Sequence, residues 1–191
     1  VNNSEGSPAD KLAEGSTHKL TFTPTVSDGT VTTVADAAHS ITITIEGTND
    51  KPKLSGGSSL TVTEQGHGIP AKPASGTVTA SDWDSDDAGN LSFGLVMTVP
   101  TDSEPQATVY TKLYVVDDGG NPVLSATAPA DGNYYGTLTM ASGTGTYTFT
   151  LKNDAKVVQQ MDENQTKSLD FTVAVQDTPG AYDYKAFTLT I

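Results

Sequence analysis

The chain has 191 residues, with 23 acidic side chains against 10 lysines, no arginine, no cysteine and a formal net charge of −13. Nucleic acids and anionic membranes need clustered positive charge on their partner, so neither is a predicted partner. The absence of cysteine excludes disulfides and thiolate metal sites, and no apolar run reaches the roughly 20 residues of a membrane-spanning helix.

The first predicted elements are two strands of alternating apolar and polar residues, over 18–26 and 40–46. A period of two residues is typical of strands that present one face to a core. The two strands are close enough in sequence to form a hairpin. We predict that its apolar residues, including Leu20, Phe22 and Val26, belong to a hydrophobic core.

The same alternation recurs further along the chain in short segments separated by turn residues. Turn signals over 118–121 and 142–145 separate two pairs of these segments. Asp154, at a cap position, predicts a helix of at most two turns over 154–161. Short, regularly spaced strands predict an all-β sandwich of immunoglobulin or cadherin type. The predicted strands are 59–63, 75–80, 91–98, 108–116, 134–140, 145–151, 168–176 and 185–191.

Part of the sequence is repeated within the chain. The segment 12–28 aligns without a gap on 161–177, and 40–45 aligns on 186–191. Internal repeats are typical of arrays of similar modules, which usually space, stack or bind rather than catalyse. The identical pairs in the first alignment are Glu14/Glu163, Thr17/Thr166, Leu20/Leu169, Phe22/Phe171, Thr23/Thr172, Val26/Val175 and Asp28/Asp177.

This repetition predicts two domains. Residues 1–50 are interpreted as the C-terminal part of a preceding repeat, joined through a linker over 47–52 to a complete repeat over 51–191. Fifty residues hold only about three strands' worth of sequence, which cannot close a sandwich and would leave an apolar face and open edges. Three alternatives follow: the other half precedes this segment in a longer polypeptide, the segment docks onto the second domain, or it exchanges strands with another chain.

Counting strand directions predicts which acidic residues lie together. Starting at the linker, one strand down and one strand up return the chain to the linker end, so the acidic loop 82–87 is expected beside the linker. The same count places the 117–118 turn and the 177–183 loop at that end of the second domain. Glu14 is expected at the linker end of the first domain.

An all-oxygen set of ligands is what Ca²⁺ requires, since it takes six to eight oxygens from carboxylates, carbonyls and water. We predict that one ion at the linker stiffens the joint between the two domains. The alternative is that these aspartates only stabilise turns, where aspartate is a preferred residue. The predicted ligands are Glu14, Asn49, Asp50, Asp82, Asp84, Asp86 and Asp177, with Asp87 in the same loop.

No residue pattern predicts an enzyme. The three histidines lie outside metal-binding or catalytic frames, and neither a nucleophile elbow nor a phosphate-binding loop is present. Three aromatic residues near polar loops, Trp83, Tyr134 and Tyr135, are the kind of side chain that stacks on sugars or peptide side chains. Trp83 could alternatively pack at the linker and shield the ion, and one of the two tyrosines is expected to be buried.

Several segments resemble the VCBS-type repeat of giant RTX-type bacterial surface adhesins. They include Leu12-Ala-Glu-Gly-Ser-Thr17, Ile41-Thr-Ile-Thr-Ile-Glu-Gly-Thr-Asn-Asp50 and Gly76-Thr-Val-Thr-Ala-Ser-Asp-Trp-Asp84. The similarity touches most of the chain. Residues 99–133 are longer than a minimal repeat of this family needs, and the glycine-rich Ca²⁺-binding nonapeptide of RTX proteins is absent.

The resemblance implies a tandem array of cadherin-like sandwiches with Ca²⁺ at the junctions and with neighbouring repeats as partners. It also implies export by type I secretion to the extracellular bacterial cell surface. The expected function is that of an extender repeat, which holds a ligand-binding tip away from the cell in adhesion and biofilm formation. The alternative is a ligand-binding module of such an adhesin, which recognises a host or biofilm glycan or peptide.

Overall fold

The computed structural model describes residues 6–34, 39–87, 89–97 and 108–191. The chain divides into two compact units. The first comprises Val1–Asp50 and Trp83–Ala88, and the second comprises Lys51–Asp82 and Gly89–Ile191.

The described part of the first unit contains two small antiparallel sheets, one pairing β1 with β4 and the other pairing β2 with β3. The sequence predicts a single strand over 18–26, but the structure interrupts it at Pro24. Proline has no N–H to donate to a sheet ladder, which explains the break. The strands are β1 (Thr17–Phe22), β2 (Thr25–Ser27), β3 (Thr32–Val34) and β4 (Ile41–Glu46).

The predicted core residues of the first unit are not buried. Leu20, Phe22 and Val26 are all exposed, and so are Ile41 and Ile43 on β4. The prediction that they form a core is therefore wrong for this structure, although their alternation along the strands is as expected. A single sheet face becomes a core only when another layer covers it.

The second unit is built from ten strands and one short helix among the described residues. Eight of the ten strands overlap the predicted segments, while β5 and β10 were not predicted. The elements are β5 (Lys53–Gly56), β6 (Leu60–Thr61), β7 (Ala74–Ser81), β8 (Ser92–Val96), β9 (Lys112–Asp118), β10 (Asn121–Ser125), β11 (Tyr134–Ala141), β12 (Thr146–Leu151), α1 (Lys156–Gln159), β13 (Ser168–Gln176) and β14 (Tyr182–Thr190).

These strands form two sheets, ordered β10-β9-β11-β12-β7-β5 and β6-β14-β13-β8. All pairings are antiparallel except β6 with β14. One continuous core cluster draws fully buried side chains from both sheets, each worth roughly 1.5–3 kcal/mol of transfer free energy. The predicted all-β sandwich is confirmed for this unit. The core side chains include Val78, Leu113, Leu138, Tyr147 and Phe149 from the first sheet and Leu95, Phe171, Val173 and Leu189 from the second.

The two predicted turns are found at the expected positions, whereas the predicted helix differs in length and in its N-cap. The turns predicted over 118–121 and 142–145 connect β9 to β10 and β11 to β12. The predicted helix is a single turn whose N-cap is Ala155, without a side-chain capping bond. Asp154 is not the cap, because its Oδ1 accepts a hydrogen bond from the Gly68 amide, at 2.8 Å.

The predicted strand over 108–116 is in fact divided between the two sheets. Tyr110 forms an antiparallel bridge with Leu95 of β8, and from Lys112 onwards the chain belongs to the other sheet as β9. The predicted segment is therefore not one strand, and a direction count that treats it as one fails after this point.

The turn after β9 lies at the opposite end of the sandwich from the 177–183 loop. Lys167, which directly precedes β13, donates a hydrogen bond from its ammonium to the Gly120 carbonyl. Asp177 directly follows β13, ten residues after Lys167 and about 33 Å away at the rise of a strand. The prediction that Asp117 and Asp118 share an end with Asp177 is therefore wrong.

Candidate metal centre

The acidic loop follows directly on β7. Ser81, the last residue of β7, pairs with Lys53 of β5, which fixes where the loop begins. The loop then turns on itself, with the Asp87 amide bonded to the Asp84 carbonyl at 3.3 Å. Aspartate and serine are preferred in such turns because their side chains bond nearby backbone groups. A run of them after a regular strand therefore ends the strand and brings several carboxylates together.

Three carboxylates converge in this loop. Asp82, Asp84 and Asp87 each offer an oxygen, and these oxygens all lie within 4.8 Å of one another. Oxygens that share one Ca²⁺ at 2.3–2.6 Å can be at most about 5 Å apart, so the spacing suits a common ion. Asp84 is 2% exposed and Asp87 0% exposed, while Asp82 is half-buried.

The surroundings disfavour the charged form of Asp84. Burial raises the pKa of its carboxyl above the usual value, and the negative charges of Asp50, Asp86 and Asp87 raise it further. The Asp50 amide donates to Asp84 Oδ2 at 2.8 Å, which opposes the rise in pKa. A cation at this position would remove the repulsion and favour the ionised carboxyl.

The donor chemistry fits a hard divalent cation. One side-chain oxygen on each of the three acids is shielded from solvent, and so is the side-chain oxygen of Asn49. Carboxylate and amide oxygens are ligands for Ca²⁺, and three carboxylates leave room for backbone carbonyls or water in a shell of six to eight. The residues present therefore fit Ca²⁺.

The other predicted ligands in the first unit differ in burial and in their contacts. Asp50 contributes its backbone amide to Asp84 and adds negative charge beside it. Asn49 is half-buried, whereas the side chains of Glu14 and Asp86 are exposed. Their roles as ligands remain predictions.

Asp177 has a defined structural role at the turn between β13 and β14. Its Oδ1 accepts hydrogen bonds from the amides of Gly180 and Ala181, both at 2.6 Å. Its sequence counterpart Asp28 holds a turn in the same way, accepting from the amides of Thr30 and Val31 at 2.9 Å. Both carboxylates therefore stabilise the turn that follows them. The metal-binding role predicted for Asp177 is separate from this and stays a prediction.

Trp83 lies between two of the converging aspartates in sequence, and its ring packs against Gly6. A Cβ at Gly6 would lie 3.0 Å from Trp83 Cζ3, and Gly6 has a φ of +76°, which other residues rarely adopt. Even so, 42% of Trp83 is exposed. The side chain thus both packs locally and presents a surface to solvent.

The two tyrosines differ sharply in accessibility. Tyr135 is buried and donates a hydrogen bond from its hydroxyl to Asp117 Oδ1 at 3.0 Å, so its ring is not available to stack on a ligand. Burial, followed by this bond, raises the pKa of Tyr135 to about 12. Tyr134 is half-buried, packs edge-on against Tyr114 at 5.3 Å and carries the Lys152 ammonium 4.3 Å from its ring centre.

Asp86 rather than Asp87 is the ligand predicted from the sequence, whereas the structure brings Asp87 into the converging group. The two residues are adjacent, so the composition of the loop could not separate them. The distinction is visible only in the structure, where Asp87 is fully buried and its amide bonds back to the Asp84 carbonyl.

Comparisons with protein-family models and with curated proteins find no match. One of the solved structures to which the chain is similar is the EC3-6 fragment of protocadherin gammaB7, described as a cis-dimer structure. The similarity has 17% sequence identity and a TM-score of 0.39, and it covers 91% of this chain. The chain spans 32% of that protocadherin chain. In the described residues, no helix is long and apolar enough to cross a membrane.

Proposed function

We propose that the acidic loop binds Ca²⁺ and that the chain is an extender segment of a secreted bacterial surface adhesin. Its function is to hold a ligand-binding tip away from the cell during adhesion and biofilm formation. The observation that carries the proposal is the convergence of Asp82, Asp84 and Asp87, two of them buried, within 4.8 Å. Neighbouring repeats of the same polypeptide are the partners.

Calcium acts in this proposal by ordering the loop and the linker residue bonded to it. Without the ion, buried like charges repel one another, which raises the free energy of the folded loop. With the ion bound, Asp84 is held in place, and through its bond to the Asp50 amide so is the last residue before Lys51. Extracellular modules bind Ca²⁺ with Kd of about 10⁻⁴–10⁻³ M, so the site fills outside cells.

The internal sequence repeat supports an array rather than an isolated module. The segments 12–28 and 161–177 share seven identical positions, and modules of this kind usually occur in series. Export by type I secretion and a bacterial surface location belong to the same proposal, and the resemblance to VCBS-type repeats is their support.

A direct test uses Trp83, the chain's only tryptophan, as a reporter. Because it lies between Asp82 and Asp84, its fluorescence should change on titration with Ca²⁺ and saturate with a Kd of about 10⁻⁴–10⁻³ M. Asp87→Asn should weaken binding at least tenfold. Asp118→Asn removes the same charge from an exposed position outside the loop and should leave the curve unchanged. A flat titration in the wild-type chain would refute the proposal.

A second candidate function is recognition of a host or biofilm glycan or peptide. The 42% exposure of Trp83 favours it, because an accessible indole can stack on a sugar face or an apolar side chain. Half-buried Tyr134 is a weaker candidate. Binding to a glycan or peptide array in millimolar Ca²⁺ that is lost in Trp83→Ala would support this function. An array without signal would remove it.

A further inference from the structure

The β1–β4 hairpin of the first unit and the β13–β14 hairpin of the second have the same pairing register. Leu20 pairs with Ile43, and Phe22 with Ile41. The sequence counterparts pair in the same way in the second unit, Leu169 with Leu189 and Phe171 with Phe187. Register determines which face each side chain takes, so the two hairpins present equivalent faces.

The match extends to the hydrogen bonds on the other face. Thr21 and Thr42 lie opposite each other with their hydroxyl oxygens 3.4 Å apart. Their counterparts, Asp170 and Thr188, are joined by a bond from the Thr188 hydroxyl to Asp170 Oδ1 at 2.9 Å. The similarity of the two hairpins therefore rests on backbone pairing and on cross-strand contacts as well as on sequence.

Burial of the equivalent apolar faces is opposite. Phe171 is 1% exposed and Phe187 7% exposed, whereas Phe22 is 52% exposed and Ile41 57% exposed. The same kind of face is thus a core in one unit and a solvent-facing surface in the other. Exposed large apolar side chains grouped on one face mark an interaction surface.

The second unit shows what covers such a face. Tyr147 of β12, in the six-stranded sheet, packs with its ring 5.4 Å from Phe171 and 5.4 Å from Phe187. The hairpin's edges are also occupied, since β8 pairs with β13 and β6 pairs with β14. A complete environment for this hairpin is therefore a facing sheet with an inward tyrosine, together with two flanking strands.

We propose that the exposed face of the β1–β4 hairpin is a docking surface for a sheet of the same type as β10-β9-β11-β12-β7-β5. The occupant is a sheet placed ahead of the hairpin in the same polypeptide, as residues 51–160 are placed ahead of β13–β14. The environment of the β13–β14 hairpin defines the chemistry of this occupant, which has an apolar inner face with an aromatic ring over the Phe22 and Ile41 positions. The surface selects this occupant by shape and register, and no charged contact is needed.

The test supplies the occupant directly. A fusion protein is made in which residues 51–160 precede Leu12 of the chain, so that the first hairpin follows that sheet as Met161 follows residue 160. Hydrogen exchange of the amides in 17–46 should slow by at least a hundredfold relative to the 191-residue chain, because a covered hairpin opens only by unfolding.

Substitutions on the two faces separate docking from general stabilisation. In the fusion, Phe22→Lys with Ile41→Lys should abolish the added protection. The matched pair Thr21→Lys with Thr42→Lys lies on the opposite face, since side chains alternate along strands, and should keep most of it. Unchanged exchange in 17–46, or a fusion that does not fold when the original chain does, would overturn the proposal.

A second variant tests the fit without a fusion. Phe187→Ile with Leu189→Ile gives the second unit the residues that the first hairpin carries at these positions. The six-stranded sheet should still accept the hairpin, with a cooperative transition and a melting temperature lowered by a few degrees. Loss of cooperative unfolding would show that the first hairpin's apolar residues do not suit such a sheet, contradicting the proposal.

Discussion

At the scale of single residues, the candidate site depends on a carboxylate that is held in unfavourable surroundings. Asp84 is buried beside other acids, and the first effect of that burial is to raise its pKa. Protonated Asp84 therefore contributes to the stability of the folded chain, and this contribution is fully present below the ordinary pKa of 3.8. This contribution is lost as the pH rises through the raised folded-state value.

A substitution that removes the negative charge of Asp84 should show how much its burial destabilises the folded chain. In a chelator at pH 7, Asp84→Asn should raise the melting temperature, because the amide keeps an acceptor for the Asp50 N–H but carries no charge. In 10 mM CaCl₂ the same variant should show a smaller Ca²⁺-induced rise than the wild type, because a ligand is lost. Thermal melts by circular dichroism in both buffers test this, with Asp118→Asn as the control. A variant destabilised in chelator but with its full Ca²⁺ response would contradict it.

Tyr135 should make the chain sensitive to alkali. Its pKa rises from 10.0 to about 12 on folding, so the folded state holds the proton more tightly than the unfolded state does. The resulting stability is fully present below pH 10 and is lost as the pH approaches 12. Melts between pH 9 and 12 should show a smaller decline for Tyr135→Phe than for the wild type. Parallel declines would show that Tyr135 does not contribute.

At the scale of elements, the packing of β7 against β12 requires a glycine at position 76. Gly76 of β7 lies against Tyr147, and a Cβ there would come within 2.3 Å of the tyrosine oxygen. The Tyr147 hydroxyl also donates to the Ser58 carbonyl at 2.5 Å and accepts from the Ser58 amide at 2.6 Å. The ring is thus fixed by both contacts and cannot move aside freely.

Gly76→Ala should therefore destabilise the second unit by about 1–3 kcal/mol, the usual cost of overpacking a core. Urea denaturation should show a lower midpoint with the same slope. Gly143→Ala is the matched control, because a Cβ at Gly143 meets nothing within 4 Å. Equal midpoints for the two variants would mean that the Tyr147 ring adapts without cost.

At the scale of the whole molecule, the net charge of −13 attracts divalent cations in general. Screening by any salt reduces repulsion among surface charges, so a rise in stability with salt alone says little about a site. Specific binding must exceed that background. The distinction matters because 23 acidic side chains provide many weak, exposed contacts for any cation.

We expect 10 mM CaCl₂ to stabilise the chain more than MgCl₂ or NaCl of equal ionic strength. With Kd of about 10⁻⁴ M, 10 mM corresponds to a hundredfold excess and about 2.7 kcal/mol of added stability. Calorimetric melts in the three salts measure the difference. Mg²⁺ demands a tighter octahedral geometry and retains its water, so it should match NaCl more closely. Identical melting temperatures in all three salts would exclude a specific site.

The sequence by itself determined the all-β class, most strand positions and the identity of the acidic loop. These features follow from local causes: alternation sets the side-chain faces, and aspartate, serine and glycine end the strands. It also revealed the repeated hairpin, whose shared register the structure then showed between Phe22/Ile41 and Phe171/Phe187.

Only the tertiary structure decided which layer each strand joins and which side chains are covered. The change of sheet between Tyr110 and Lys112 reversed the predicted end of the Asp117–Asp118 turn. The same alternating pattern is buried at Phe171 and exposed at Phe22, because burial depends on a second layer that no local pattern encodes. Asp87 likewise became a candidate ligand only through its burial and its convergence with Asp82 and Asp84.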